Sequence, residues 1–254
     1  MNGLIAFTKK EFLEQIRSYK AVIMVSVLFL FGMMSPLLAK MMPDIFAQLT
    51  VQGISISMPE PTVLDAYGQF FKNMSQMGLI ILLLVFNVIL SQEVTRGTLV
   101  ILLAKGLSRS AVIMSKYLAA LILWTVSYVL AAITDYGYTV YLFGSFSLPH
   151  LFFSLFCLWL FGAFLLAVLL LASTLASGNY GGLLLTAAIM MLLLIANVFP
   201  VFQKWNPVAL ASDNITLLTN AETIGDMSVT AWTALLLIVL CLILSLLVFK
   251  KKKL

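Results

Sequence analysis

This sequence predicts an all-α integral membrane protein with six transmembrane helices and both termini in the cytoplasm. Three observations predict it. The first is composition: 62% of the 254 residues are hydrophobic and only 10% are charged. Soluble domains sit near 45–50% apolar and about 25% charged. The second is the recurrence of apolar runs of about 20 residues, long enough as helices to cross a hydrocarbon core about 30 Å thick. Strands of a membrane barrel would instead alternate over about ten residues. The third is the placement of the basic residues. Twelve lysines and arginines fall on one side of the predicted spans: Lys9, Lys10, Arg17, Lys20, Arg96, Lys105, Arg109, Lys116 and residues 250–253. Only Lys40, Lys72 and Lys204 fall on the other. The richer side reads as cytoplasmic. The formal net charge of +5 is then a topology signal and no pointer to nucleic acid.

The elements follow in chain order. Residues 1–20 read as an amphipathic helix lying in the headgroups. Ile5, Phe12 and Ile16 share one face, Leu13 widens it, and Lys9, Lys10 and Arg17 occupy the wetter side. That basic, amphipathic start is no cleavable signal peptide. The spans are expected at 21–39, 74–91, 117–141, 151–175, 181–202 and 231–249. Residues 111–143 are too long for one upright crossing, so this helix must tilt, kink or leave the bilayer. The outer loop 40–73 carries Pro43, Pro59 and Pro61, which should break it into short interfacial pieces. The inner loop 173–180 carries no charge, and its glycines suit a tight turn. In the outer loop 203–230, Asn206 is placed to cap a short helix that has Pro207 in its first turn. The basic tail 250–254 closes the chain on anionic lipid. Cys157 and Cys241 fall inside spans and read as small apolar fillers.

The chemistry of an enzyme is missing. The sequence has no GxxxxGK[ST] phosphate loop, no HExxH and a single histidine, His150. No catalytic, cofactor or metal site can be assembled. Asp135 is the one acidic residue in a predicted apolar stretch. Helical rise from residue 115 lifts it about 30 Å, toward the outer headgroups. A hydrated carboxylate there, or one bonded to a neighbouring helix, stands beside a substrate or ion role.

The polar connector between spans two and three carries the most organised signal. Residues 93–116 read EVTRGTLVILLAKGLSRSAVIMSK. Gly97 permits a bend, residues 98–104 form a short apolar helix, and Lys105 with Gly106 stops it. Ser108 then caps the helix that runs through Lys116 into span three. A short surface helix held between two spans can pass a push directly into both.

This connector resembles that of the ABC-2 type permeases, the membrane subunits of ATP-binding-cassette exporters. The matching residues are Glu93, then Gly97, Thr98 and Leu99, then Leu102 and Leu103, then Ser108 and Arg109, then Lys116. The start KKEFLEQIRSYK, the Asn206 and Pro207 pair and the six-span plan are similar as well. Many relatives carry a proline just before the Ser-Arg segment, where this chain has Lys105, Gly106 and Leu107. The resemblance implies a coupling helix at 97–106, within a coupling segment 92–116, docked on a separate ATPase subunit. Glu93, Arg96, Gly97, Thr98, Leu99, Leu102, Leu103, Gly106 and Arg109 would carry the coupling. ATP and Mg would bind the partner subunit and none this chain. A second permease copy would complete the path, most simply as a homodimer in the lipids of a bacterial plasma membrane. Export of a hydrophobic or amphiphilic substrate is the function so implied. Two readings stand beside it: a membrane component that transmits ATP-driven motion to an extracytoplasmic partner, and a secondary transporter using Asp135.

Overall fold

The computed structural model describes residues 2–49, 59–90, 104, 106, 108–176, 178, 180–219, 221 and 223–251. Every regular element among them is helical. The helices are α1 (Asn2–Arg17), α2 (Lys20–Leu49), α3 (Val63–Asn73), α4 (Leu79–Phe86), α5 (Arg109–Phe143), α6 (Leu151–Leu175) and α7 (Gly181–Asn197). They continue as α8 (Pro200–Gln203), α9 (Ala209–Ser212), α10 (Asn214–Leu218) and α11 (Ile224–Lys251).

Five of the expected crossings are long and apolar enough to span: Lys20–Ile45, Val63–Phe86, Arg109–Phe143, Leu151–Leu175 and Ile224–Lys251. The one expected at 181–202 is shorter. Its helix, α7, has 17 residues, about 25 Å at 1.5 Å per residue. It stops because Phe199 precedes Pro200 and takes extended backbone, φ −89° and ψ 121°, as the residue before a proline does.

Two boundaries differ most from expectation. Pro36 and Pro43 both lie inside α2, which runs 30 residues without ending at 39. Pro43 therefore does not break the outer loop. The second crossing starts at Val63 rather than 74, because Thr62 and Asp65 form a capping box. The Thr62 N–H donates to Asp65 Oδ2 at 2.8 Å, and the Asp65 N–H donates to Thr62 Oγ1 at 3.4 Å. These bonds satisfy N–H groups that a helix start leaves orphaned. A π-helical turn, Met74–Gly78, joins α3 to α4. Asn73, just before it, donates to Ser35 Oγ of α2 at 3.0 Å.

The centre of the bundle is α6, apolar all round and buried along most of its length, as a helix with no polar stripe must be. Aromatic groups lace it to α5. Trp124 Nε1 donates to the Trp159 carbonyl at 3.0 Å, and Trp159 Nε1 returns a bond to Thr125 Oγ1 at 3.0 Å. The Tyr128 hydroxyl donates to the Leu155 carbonyl at 3.0 Å. Each large ring thus buries its apolar body and keeps its polar atom paired. Gly162 makes room for this: a Cβ there would lie 2.4 Å from the Trp124 ring.

Where the sequence predicts one short helix capped by Asn206, two form, α9 and α10. Helix α9 begins at Ala209 with Val208 at its N-cap position, so Pro207 lies before it. Both helices pack inward. Val208, Leu210, Leu217 and Leu218 are buried. Asn206 ties this cap to α7 by donating to the Leu193 carbonyl at 2.7 Å, while its Oδ1 accepts the Val208 N–H at 3.1 Å. Cys157 and Cys241 are buried, unpaired fillers.

Candidate functional site

The connector singled out by its sequence lies in the chain between α4 and α5. Glu93, Arg96, Gly97, Thr98, Leu99, Leu102 and Leu103 lie outside the described residues. The anchor points around them are described, and they form one junction.

Just before α5, Gly106 has φ +89°. That left-handed backbone is open to glycine and strained for other residues, while Lys105 and most of the short helix expected before it lie outside the described residues. Ser108 caps α5 as expected, its Oγ accepting the Ala111 N–H at 3.2 Å. Arg109 then reaches across to the last helix. Its Nη1 donates to the Phe249 carbonyl at 2.8 Å and to the Lys250 carbonyl at 2.9 Å. Its guanidinium also lies 5.9 Å from the centre of the Phe249 ring. The final carbonyls of a helix have no partners within it and carry the negative end of its dipole. Arg109 answers both and fastens the end of α11 to the start of α5.

About two turns further along α5, Lys116 meets α1. Its Nζ lies 3.1 Å from Glu11 Oε2. The lysine side chain is 4% exposed and the glutamate 10%, so the pair is shielded from solvent. Glu11 also accepts from Lys10 Nζ at 3.1 Å. The face of α1 that packs on α5 is therefore Phe7, Glu11 and Gln15, all buried. Ile5, Leu13 and Ile16 stay exposed, an apolar stripe away from that face. A small polar cavity of about 30 Å³ lies beside the ion pair. Glu14, Gln15, Lys20, Phe86 and Ile89 share its lining with Glu11 and Lys116.

The junction thus gathers α1, the end of α4, the start of α5 and the end of α11. The described C-terminal end of the chain lies at this junction. The sequence named Arg109 and Lys116 but missed their partners. Glu11 and Gln15 follow Phe7 at helical spacing, yet two of the three are polar, and the apolar periodicity of α1 points to its other face.

Asp135 differs from expectation. It is fully buried rather than hydrated. Neither carboxylate oxygen has a hydrogen-bond partner among the described residues, so it is not bonded to a neighbouring helix either. The cause is packing. Asp135 shares a face of α5 with Ala131 and Thr139, and α2 lies close against that face. At Gly32 the approach is so tight that a Cβ would fall 2.4 Å from the Ala131 carbonyl oxygen. Among the described residues there is no cluster of side chains suited to hold a metal.

The chain matches a family described as ABC-2 family transporter protein over residues 5–254. No curated protein matches the chain.

Proposed function

Because this chain belongs to the ABC-2 transporter family, and is thus a multi-pass permease component rather than the ATPase, we propose that it exports a hydrophobic or amphiphilic substrate. In this reading a separate ATP-binding-cassette subunit binds ATP and Mg and docks on residues 97–106. Two permease copies and two ATPases make the working unit in a plasma membrane, with the junction end and both termini in the cytoplasm. All six expected helices cross in this reading, with α7 continued by α8 as the shorter fifth.

The observation that carries the proposal is the double fastening on α5. The Arg109 clasp and the Glu11–Lys116 pair bind α11 and α1 to the helix that the connector enters. Ser108, two residues beyond Gly106, caps that helix. A displacement of residues 97–106 by a closing ATPase pair would move α5, and α1 and α11 with it. Closure transmitted through rigid, contacting elements is a known route for such coupling. Glu93, Arg96, Gly97, Thr98, Leu99, Leu102 and Leu103 are the residues of the docking surface in this reading. Gly106 sets its turn, and Arg109 passes its motion on.

The test is copurification from cells expressing the chain with its genomic neighbours. An ATPase should elute at about one copy per permease, and Leu102→Asp should release it or abolish stimulated ATP hydrolysis. A chain that purifies alone and stays functional, or a Leu102→Asp complex with normal yield and turnover, overturns the coupling assignment.

A further inference from the structure

A groove of about 650 Å³ lies between α3 and α4 on one side and α6, α7 and the α9–α10 cap on the other. Its ends differ in chemistry. Lys72, Ser75, Gln76, Ser212 and Asn214 line one end, and Leu79, Ile80, Leu83, Leu165 and Met190 line the other. Chain order fixes the levels. Helix α4 ends at Phe86, which lines the small cavity beside Lys116, so Leu83 lies toward the junction. Lys72 stands about 16 Å from Leu83 by helical rise, on the side away from the junction. Ser154, in the first turn of α6, donates to the Asn214 carbonyl at 3.1 Å. Leu165 lies about 16 Å further along α6, so the cap supplies polar groups at the level of Lys72.

The polar end is not satisfied from within. Ser75 Oγ donates to the Lys72 carbonyl at 3.3 Å, and Ser212 Oγ donates to Asp213 Oδ1 at 2.7 Å. Asn214 Nδ2 donates to the Leu210 carbonyl at 3.1 Å. That leaves three groups. Asn214 is 1% exposed, and its Oδ1 has no hydrogen-bond partner among the described residues. An acceptor buried in this way is costly unless a donor reaches it. Lys72 and Gln76 are exposed. Lys72 belongs to no ion pair among the described residues, and it is the one charged residue of the lining, where no carboxylate occurs. Ser75 and Gln76 belong to the π-helical turn Met74–Gly78, a local widening of the helix that is frequent at functional sites.

We propose that this groove binds one anionic phospholipid, with its phosphate on Lys72 and Gln76 and an acyl chain along α4. Charge selects the head. A lysine ammonium and an amide N–H are donors suited to a phosphate, and Lys72 repels an organic cation. A choline or ethanolamine head carries its own cation, which would find no carboxylate on the lining. A hydroxylated head such as glycerol instead supplies a donor for Asn214 Oδ1. Length selects the tail. The 16 Å or so from Lys72 to Leu83 is about half of a hydrocarbon core about 30 Å thick, the depth of one leaflet. A free inorganic anion would leave that apolar wall bare. The site does not rest on the export reading, because it involves neither the connector nor an ATPase. It requires only that the chain sit in a membrane, as its family does.

Native mass spectrometry of the full chain, delipidated in detergent and titrated with phosphatidylglycerol or with phosphatidylcholine of the same acyl chains, tests it. Wild type should retain one phosphatidylglycerol per chain and prefer it to phosphatidylcholine by about tenfold, the worth of one charge-assisted contact. Lys72→Gln should remove the preference, and Lys72→Arg should keep it. Lys204→Gln removes an exposed lysine that does not line the groove and should change nothing. Ile80→Trp fills the apolar end from a half-exposed position and should abolish retention of both lipids. Each variant is first checked for wild-type helicity and a single elution peak, and Leu194→Trp on the facing wall replaces Ile80→Trp if that variant does not fold. Leu102→Asp, which tests ATPase coupling, should bind lipid like wild type, so the two proposals fail separately. Equal retention of the two lipids by the wild type overturns the site, as does an unchanged preference in Lys72→Gln. An equal loss in Lys204→Gln also overturns it, because the attraction would then be a diffuse surface effect. So does cross-linking of Leu194→Cys between two copies, since the groove would then be an interface between chains.

Discussion

Lys116 and Glu11 stand 105 residues apart in the chain and 3.1 Å apart in space, in contact at the base of α5. The pair joins α1 to α5 where neither charge is well hydrated. Removing one member of a buried pair strands the other, at a cost of about 3–5 kcal/mol. Lys116→Met should therefore lower the melting temperature in detergent sharply. Glu11→Gln should do so less, since an amide can still accept a hydrogen bond. The charge-reversed double variant Glu11→Lys with Lys116→Glu should recover part of the loss. Additive damage in the double variant would mean that the two residues are not energetically coupled.

The Arg109 clasp makes a different prediction. Hydrogen bonds from a charged donor contribute about 1.5–3 kcal/mol each when shielded, and less where solvent reaches them. Arg109→Gln should loosen the last turn of α11 without unfolding the bundle. A cysteine at Phe249 should then label faster with a membrane-impermeant thiol reagent in the Arg109→Gln background than in the wild type. Equal labelling rates would show that the end of α11 is held by other contacts.

Two helical glycines should respond in opposite directions. A Cβ at Gly32 would fall 2.4 Å from a backbone oxygen of α5, and backbone cannot swing aside. Gly32→Ala should force α2 and α5 apart and cost about 1–3 kcal/mol or more. Gly137 has nothing within 4 Å of its would-be Cβ. Gly137→Ala should be neutral or gain up to about 1 kcal/mol from helix propensity. Thermal unfolding of both variants in one detergent checks the contrast.

Asn206 carries two bonds from a nearly buried position, one to α7 and one to the start of the α9 turn. Asn206→Ala should leave the Leu193 carbonyl and the Val208 N–H unpaired, at about 1–3 kcal/mol for each that stays buried. Asn206→Asp keeps the acceptor and loses the donor, so its loss should be smaller. Proteolysis within 203–230 should accelerate in the same order. Identical digestion of all three proteins would leave the cap without a role for this side chain.

Where the sequence was legible, the signal was local. Ser108 announced a helix cap and takes that geometry, and Gly106 has the left-handed backbone that glycine favours. Thr62 and Asp65 also formed a readable signature, but the prolines around them suggested a broken loop. Pro43 misled more seriously. A proline inside a helix removes one hydrogen bond and crowds the preceding turn, yet α2 runs through two of them. Chain packing along α2 outweighs that local cost.

By itself the sequence determined that the chain is helical and membrane-bound, that it has no phosphate loop, and where its organised connector lies. Those properties sum over residues within one segment, so composition, period and end signals suffice to read them. Only the tertiary structure decided which faces meet. It turned Glu11 inward to Lys116, laid Arg109 on the end of α11, folded α9 and α10 against α6, and buried Asp135. Each of these depends on contacts between helices distant in the chain, and helical periodicity carries no record of which neighbour a face will find.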